Sequence, residues 1–312
     1  MPNNLGHEKI PQWNTDIWNA IDKAVADEHK LTAIAAQFLT PPVPDGSMDG
    51  TVPADTVQAG EDGILSVDES EMRSIVEIAV QFRVRQSQVE HEAQTKTAES
   101  LATRAANLLA KGEDLLIFQG LTALEAPLFA SKTVVLRLPK SKKPSSPVDA
   151  FLFPNEQIIP VHPSESSASG PLYGDNTYAA VAEGYARLQE NHYGRQALVL
   201  PSTIYADTFA TRATTLEIPA ITADRIKGLI GNFVFGTSTL PALDKNGRDK
   251  PAKGVLLALD GNTMDLVVQM GPTVEVVTQE GGSGDFIFNV YERFALRLKD
   301  PKAVVELDFL PQ

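Results

Sequence analysis

From Phe286 to Leu298 the even positions carry Phe286, Phe288, Val290, Phe294, Leu296 and Leu298, interrupted only by Glu292. The odd positions hold Asn289, Arg293 and Arg297 among Ile287, Tyr291 and Ala295. Successive side chains on a strand point to opposite faces, so period two predicts a long half-buried strand that another layer must cover. A candidate cover lies at residues 95–118. Leu101, Ala105, Leu108, Leu109, Gly112 and Leu115 fall near one helical face there, and Gly120 stands as a C-terminal stop. Gly112 lowers helicity, which predicts either a weak point or close packing.

The remaining segments support an α+β chain. Residues 1–12, with Pro2 and Pro11, read as an arm. Thr15 is expected to cap a first helix whose Ile17, Trp18, Ile21, Ala24 and Val25 form one stripe. A second patch, Leu31 to Leu39, is stopped by Pro41-Pro42-Val43-Pro44. Residues 47–72 are acidic and Gly-rich with few large apolar side chains, and read as a loop or a hairpin projecting from the body. Period two over 75–89 predicts a strand. Asp175 or Asn176 is expected to cap a helix carrying Tyr178, Val181, Tyr185 and Leu188. Ala197–Pro201 predicts a buried strand, with short helices over 203–209 and 224–230. Strands at 254–259 and 264–269 are expected to join across the turn Asp260-Gly261-Asn262, with further strands at 133–138, 274–277 and 303–307.

Composition excludes several function classes. The 312 residues contain no Cys, so disulfides, thiolate metal sites and cysteine nucleophiles are impossible. Lys and Arg number 27 against 40 Asp and Glu, a formal charge of −13, which argues against a dedicated nucleic-acid binder and is read as solubility. No window approaches the roughly 18 apolar residues of a membrane span, and the polar N-terminus has no signal-peptide pattern. The expected location is the cytoplasm. The basic run Lys140 to Lys143 is read as a solvated loop.

No catalytic constellation emerges. His7, His29, His91, His162 and His192 show no metal-ligand spacing, so no metal site is expected. Ser202 lacks flanking glycines and reads as a helix cap. Gly231 to Ser238 mimics a phosphate loop, but Thr237 stands where its lysine would be, and a strand is expected instead. Gly281-Gly282-Ser283-Gly284 precedes a strand where a dinucleotide fingerprint would precede a helix. No catalytic residue and no cofactor are expected.

Local motifs, in their order along the chain, resemble the encapsulins, linocin-like proteins that share the fold of the HK97-type phage capsid protein. They are Leu5-Gly6-His7 with Trp18-x-x-Ile21-Asp22, Gln37-Phe38-Leu39 leading to Pro44-x-Gly46, and Val76-Glu77-Ile78-x-x-x-Phe82. Glu113-Asp114-x-x-Ile117-Phe118-x-Gly120, Ala197 to Leu200, Val267 to Gly271 and Tyr291-Glu292-Arg293-Phe294 complete the series. The resemblance covers most of the chain except roughly 122–172. It implies an α+β, HK97-like capsid fold with a peripheral P-domain, an A-domain and an extended loop (E-loop). The implied division is 1–46 as N-terminal arm and lumenal amphipathic helix, 47–74 as E-loop, and 75–121 as P-domain strand and spine helix. Residues 122–284 would form the A-domain and 285–312 the C-terminal P-domain strands.

The resemblance also implies a role. Identical subunits would assemble into an icosahedral nanocompartment enclosing a cargo enzyme, which carries a short C-terminal targeting peptide. The implied partners are other copies of the chain and the cargo, with neither nucleic acid nor membrane. Trp18, Ile21, Val25, Phe38, Phe294 and Leu296 would receive the cargo peptide. For any single one of them, ordinary core packing is the favoured reading. Thr211, Arg212, Thr214, Thr215 and Glu217 match the five-fold pore loop. Ala36 and Thr40 replace charged residues common in the family, and Ser87 replaces a flavin-stacking Trp, so no flavin is implied. A phage-type capsid protein enclosing DNA shares the fold and is the alternative; a small enzyme is the third class.

Overall fold

The computed structural model describes the chain except residues 1–4, 40–41, 45–49, 60–63, 139–146, 153–156, 168–169, 211–220, 243–250, 280–283 and 312, and the side chains of 58–59, 165–167, 170–171 and 279. Phe286–Leu298 is one continuous strand, as its alternation predicts. It lies in the middle of a five-stranded sheet. Its neighbours are the antiparallel strands Met264–Gln279 and Val76–Val84, with Val43–Pro44 and Val134–Arg137 outermost. The strand is buried on both faces rather than half-buried, because paired charges occupy its polar positions.

Two helices cover this sheet. Thr15–Thr32 begins one residue after its cap: Asn14, not Thr15, accepts a hydrogen bond from Ile17 N at 3.0 Å. The spine helix Thr97–Gln119 buries the predicted face and ends at Gly120, whose φ of 59° only glycine adopts readily. Gly112 marks close packing rather than weakness. A Cβ there would lie 3.0 Å from Val134 Cγ1. Glu92, beside a histidine in sequence, has a structural use: its carboxylate accepts hydrogen bonds from Ala98 N and Glu99 N, capping the spine helix.

The described part of the N-terminal segment is not the free arm expected over 1–12. From Leu5 it lies on the sheet, with Ile10 and Trp13 buried and Lys9 Nζ donating to the carbonyls of Val276 and Val277. Trp13 Nε1 donates to Val89 O at 2.8 Å. The strand predicted over 75–89 ends at Val84, and a short helix, Gln86–Glu90, follows.

A second five-stranded sheet runs Val234–Thr237, Gln196–Pro201, Ala252–Ala258, Val304–Phe309 and Ile158–Val161. Helix Asp175–Glu190 packs against it, and Gly184 lets Leu256 approach closely. That helix starts after Gly174, so Asp175 is its first residue rather than its cap. Ser202 likewise opens helix Ser202–Asp207 after Pro201 and makes no side-chain cap bond.

The turn at Asp260–Asn262 does not close a hairpin. Ala252–Ala258 pairs within the second sheet, whereas Met264–Gln279 belongs to the first, so the turn passes the chain from one lobe to the other. Val134–Arg137 and Met264–Gln279 lie in the first sheet, and Val304–Phe309 lies in the second, so each sheet draws on distant parts of the chain. One hydrophobic core spans both lobes. Filling the contact at Gly112 tests this packing. Gly112→Val is expected to destabilise the chain by about 1–3 kcal/mol, as overpacking does, measured as a lowered thermal midpoint.

Candidate functional site

Two features distinguish this scaffold: an exposed apolar hairpin and a buried ionic junction. The hairpin comes from the acidic, Gly-rich segment. Thr51–Pro53 pairs with Met72–Ser74 at its base, and Thr56–Ala59 pairs with Leu65–Asp68 further out. Val57 stands opposite Val67, and Leu65 lies two residues along on the same face. All three are exposed, Leu65 by 72%. A two-stranded hairpin is marginal alone, and an apolar face in water marks a surface made for a partner.

Charges fix the base of the hairpin to the first sheet. Arg297, at the end of the closing strand, donates from Nε and Nη2 to the carboxylate of Asp265 at 2.8 and 2.7 Å. Its Nη1 reaches Asp55 and Pro53 O in the hairpin. Lys299 Nζ also lies 2.8 Å from Asp265. On the hairpin's other strand, Arg73 Nε meets Asp149 at 2.6 Å. Burial would raise the Asp265 carboxyl, but the hydrogen bonds and charges of Arg297 and Lys299 outweigh it and hold the group below its ordinary value.

The second feature explains two motifs. In Glu113-Asp114-x-x-Ile117-Phe118-x-Gly120, Ile117 and Phe118 are core residues. Asp114 accepts from Ile34 N and Ala35 N, both at 2.9 Å, and so holds the start of the short helix Ala35–Phe38. Glu113 meets His29 Nε2 at 2.7 Å, and Glu292, from Tyr291-Glu292-Arg293-Phe294, meets the same nitrogen at 3.1 Å. Burial opposes charge on His29, yet Glu292 and Glu113 overcome it and raise its pKa to about 11. Burial raises Glu113 and Asp114. Arg293 turns to the opposite face and binds Glu77, which also holds Arg137. Sequence spacing could not reveal the His29–Glu113–Glu292 cluster, because its members lie on two helices and a strand far apart in the chain.

The structure places Trp18, Ile21, Val25, Phe38, Phe294 and Leu296 in the core, all buried. Trp18 stacks on His7 at 3.8 Å and contacts Trp13 and Phe288. Phe38 lies toward the second lobe, against Phe151 and Phe235, apart from that aromatic group. Ile21 also borders a groove of about 260 Å³ between the first helix and the start of the spine helix, with Ile17, Ala20, Ala93 and Lys96. The pore-loop residues Thr211, Arg212, Thr214, Thr215 and Glu217 lie outside the described residues.

Arg297→Met leaves Asp265 and Asp55 without their shared cation. It is expected to lower stability by about 3 kcal/mol and to hasten protease cleavage in the hairpin, read by thermal unfolding and limited proteolysis. Asp265 is favoured as a carboxylate when folded. Its contribution is therefore complete above its unfolded value near pH 4 and is lost as pH falls through the depressed folded value. An Asp265→Asn variant should accordingly show a shallower loss of stability in acid than the parent.

Residues 3–152 match a family described as "Encapsulating protein for peroxidase". No curated protein matches the sequence. Among solved structures, a virus-like particle from Pyrococcus furiosus aligns over 93% of this chain and 98% of its own, with a TM-score of 0.61 and 17% identity. The holo-SrpI encapsulin complex of Synechococcus elongatus aligns over 88% and 89%, with a TM-score of 0.53 and 10% identity. The capsid of Myoviridae phage XM1 aligns over 86% and 90%, with a TM-score of 0.53 and 15% identity. The chain thus carries the HK97-type capsid fold through nearly its whole length, and its first half, residues 3–152, matches the family of encapsulating proteins.

Proposed function

We propose that this chain is a structural, non-catalytic shell subunit of the encapsulin kind, assembling with copies of itself into a closed icosahedral compartment around a cargo protein. The observation that carries the reading is the hairpin 51–74, whose exposed Val57, Leu65 and Val67 face away from their own chain on an element too thin to bury them. A closed point group needs several interfaces per subunit, and a rigidly anchored arm laid on a neighbour supplies one. The encapsulating-protein match over 3–152 supports the same reading. No helix among the described residues is long and apolar enough to cross a membrane. The compartment proposed is cytoplasmic.

A cargo tail would enter beside the first helix. Trp18, Ile21, Val25, Phe38, Phe294 and Leu296 are all covered, so the accessible seat is the groove edged by Ile17 and Ala20, which Ile21 borders from beneath. A short C-terminal tail with alternating apolar side chains fits a half-polar cleft of this kind. The loop at 211–217, with Arg212 and Glu217, would line the pore and set its charge. A capsid enclosing DNA is the second reading, favoured by the XM1 capsid, which matches the fold as well as the SrpI encapsulin does.

Electron microscopy of the purified protein, combined with its nucleic-acid absorbance, separates these readings. Empty or protein-filled shells are expected; DNA-filled shells support the capsid reading, and small particles overturn both. Leu65→Asp should leave the subunit folded within about 0.5 kcal/mol, since the side chain is exposed, yet abolish shells in size-exclusion chromatography. Ala20→Arg, on the exposed rim of the groove, should preserve shells and reduce cargo co-purification. Full cargo retention in that variant places the tail elsewhere.

A further inference from the structure

We propose that His29, Glu113 and Glu292 form a binding site for a single divalent transition-metal ion of the zinc type, which ties the first helix, the spine helix and the closing strand together. Each residue offers one ligand atom, and the three atoms lie within 4.8 Å of one another. His29 Nε2 is 2.7 Å from Glu113 Oε2 and 3.1 Å from Glu292 Oε2. These distances would suit hydrogen bonds, yet neither Nε2 nor Glu113 Oε2 makes one of acceptable angle. Both carboxylate oxygens therefore lie to the side of the ring-nitrogen direction. That is where ligands sit when an ion, rather than a proton, occupies the direction itself. Ligands about 2.0–2.2 Å from a shared ion lie about 3 Å or slightly more from each other, so only a small outward movement is required.

Burial and charge favour the same occupant. Glu113 and Glu292 are 2% and 3% exposed, and Glu292 Oε1 has no hydrogen-bond partner. With only a proton on His29, the buried carboxyl groups of Glu113, Glu292 and neighbouring Asp114 share one positive charge. A divalent ion with a neutral imidazole brings one more positive charge to the same set. One nitrogen and two carboxylate oxygens suit zinc, manganese or ferrous iron better than thiolate-seeking metals, and water can complete the coordination. The His29 side chain is 11% exposed, so an ion has a way in from the surface.

The test uses the purified full-length protein, stripped with a chelator, incubated with Zn²⁺ and desalted. About one zinc per chain and a higher thermal midpoint than in the stripped protein are expected, and both are lost in His29→Gln and Glu292→Gln. No retained zinc in the parent, or equal retention in both variants, overturns the site and leaves the cluster held by a proton alone. If neither variant folds, X-ray absorption of the zinc-loaded parent decides. A single imidazole with oxygen ligands supports the site; oxygens only, or two or more imidazoles, refutes it.

Discussion

Everything in the first lobe depends on burying the strand Phe286–Leu298 on both faces while it carries Glu292, Arg293 and Arg297. Glu292 and Arg297 are buried and need partners, because an unpaired buried charge costs several kcal/mol, whereas Arg293 is partly exposed and pairs as well. Each partner brings a different element. Glu292 draws in His29 and Glu113 from the two covering helices. Arg293 holds Glu77 on the adjacent strand, which in turn holds Arg137 on the next. Arg297 reaches Asp265 on the other neighbour and Asp55 in the projecting hairpin. The charges of one strand thereby define where two helices, three strands and the hairpin sit.

The same arrangement links stability to the proposed assembly role. An arm that must lie on a neighbouring subunit works only if its base is rigid. Arg297 and Arg73 provide that rigidity from both strands of the hairpin base, and leave the apolar face of Val57, Leu65 and Val67 outward. In the proposed shell a formal charge of −13 per chain would be multiplied over many subunits, and such apolar contacts would offset part of the repulsion. With no cysteine in the chain, no disulfide can join it to a neighbour.

Much of the fold is legible in the sequence because its signals are local. Alternation identifies the closing strand, a helical stripe identifies the spine helix, and Gly120 ends it at the expected residue. Local signals fail where a residue has two plausible neighbours. Asp260-Gly261-Asn262 has the chemistry of a tight turn, and only the pairing of its flanking strands shows that it connects two sheets. The apolar residues Trp18, Ile21, Val25, Phe38, Phe294 and Leu296 are equally suited to core and to a binding surface. Tertiary packing buries all six and leaves the exposed edge of the groove to Ala20.

The sequence by itself determines the class of the protein: an acidic, cysteine-free α+β chain with a projecting polar segment and an ordered set of encapsulin-like motifs. Periodicity, composition and turn chemistry are short-range properties, so they are written in consecutive residues. Only the tertiary structure decides which charges meet. His29, Glu113 and Glu292 are separated by most of the chain, and no spacing rule connects them. Their convergence requires two helices to be laid across one buried strand, and that depends on the packing of the whole first lobe.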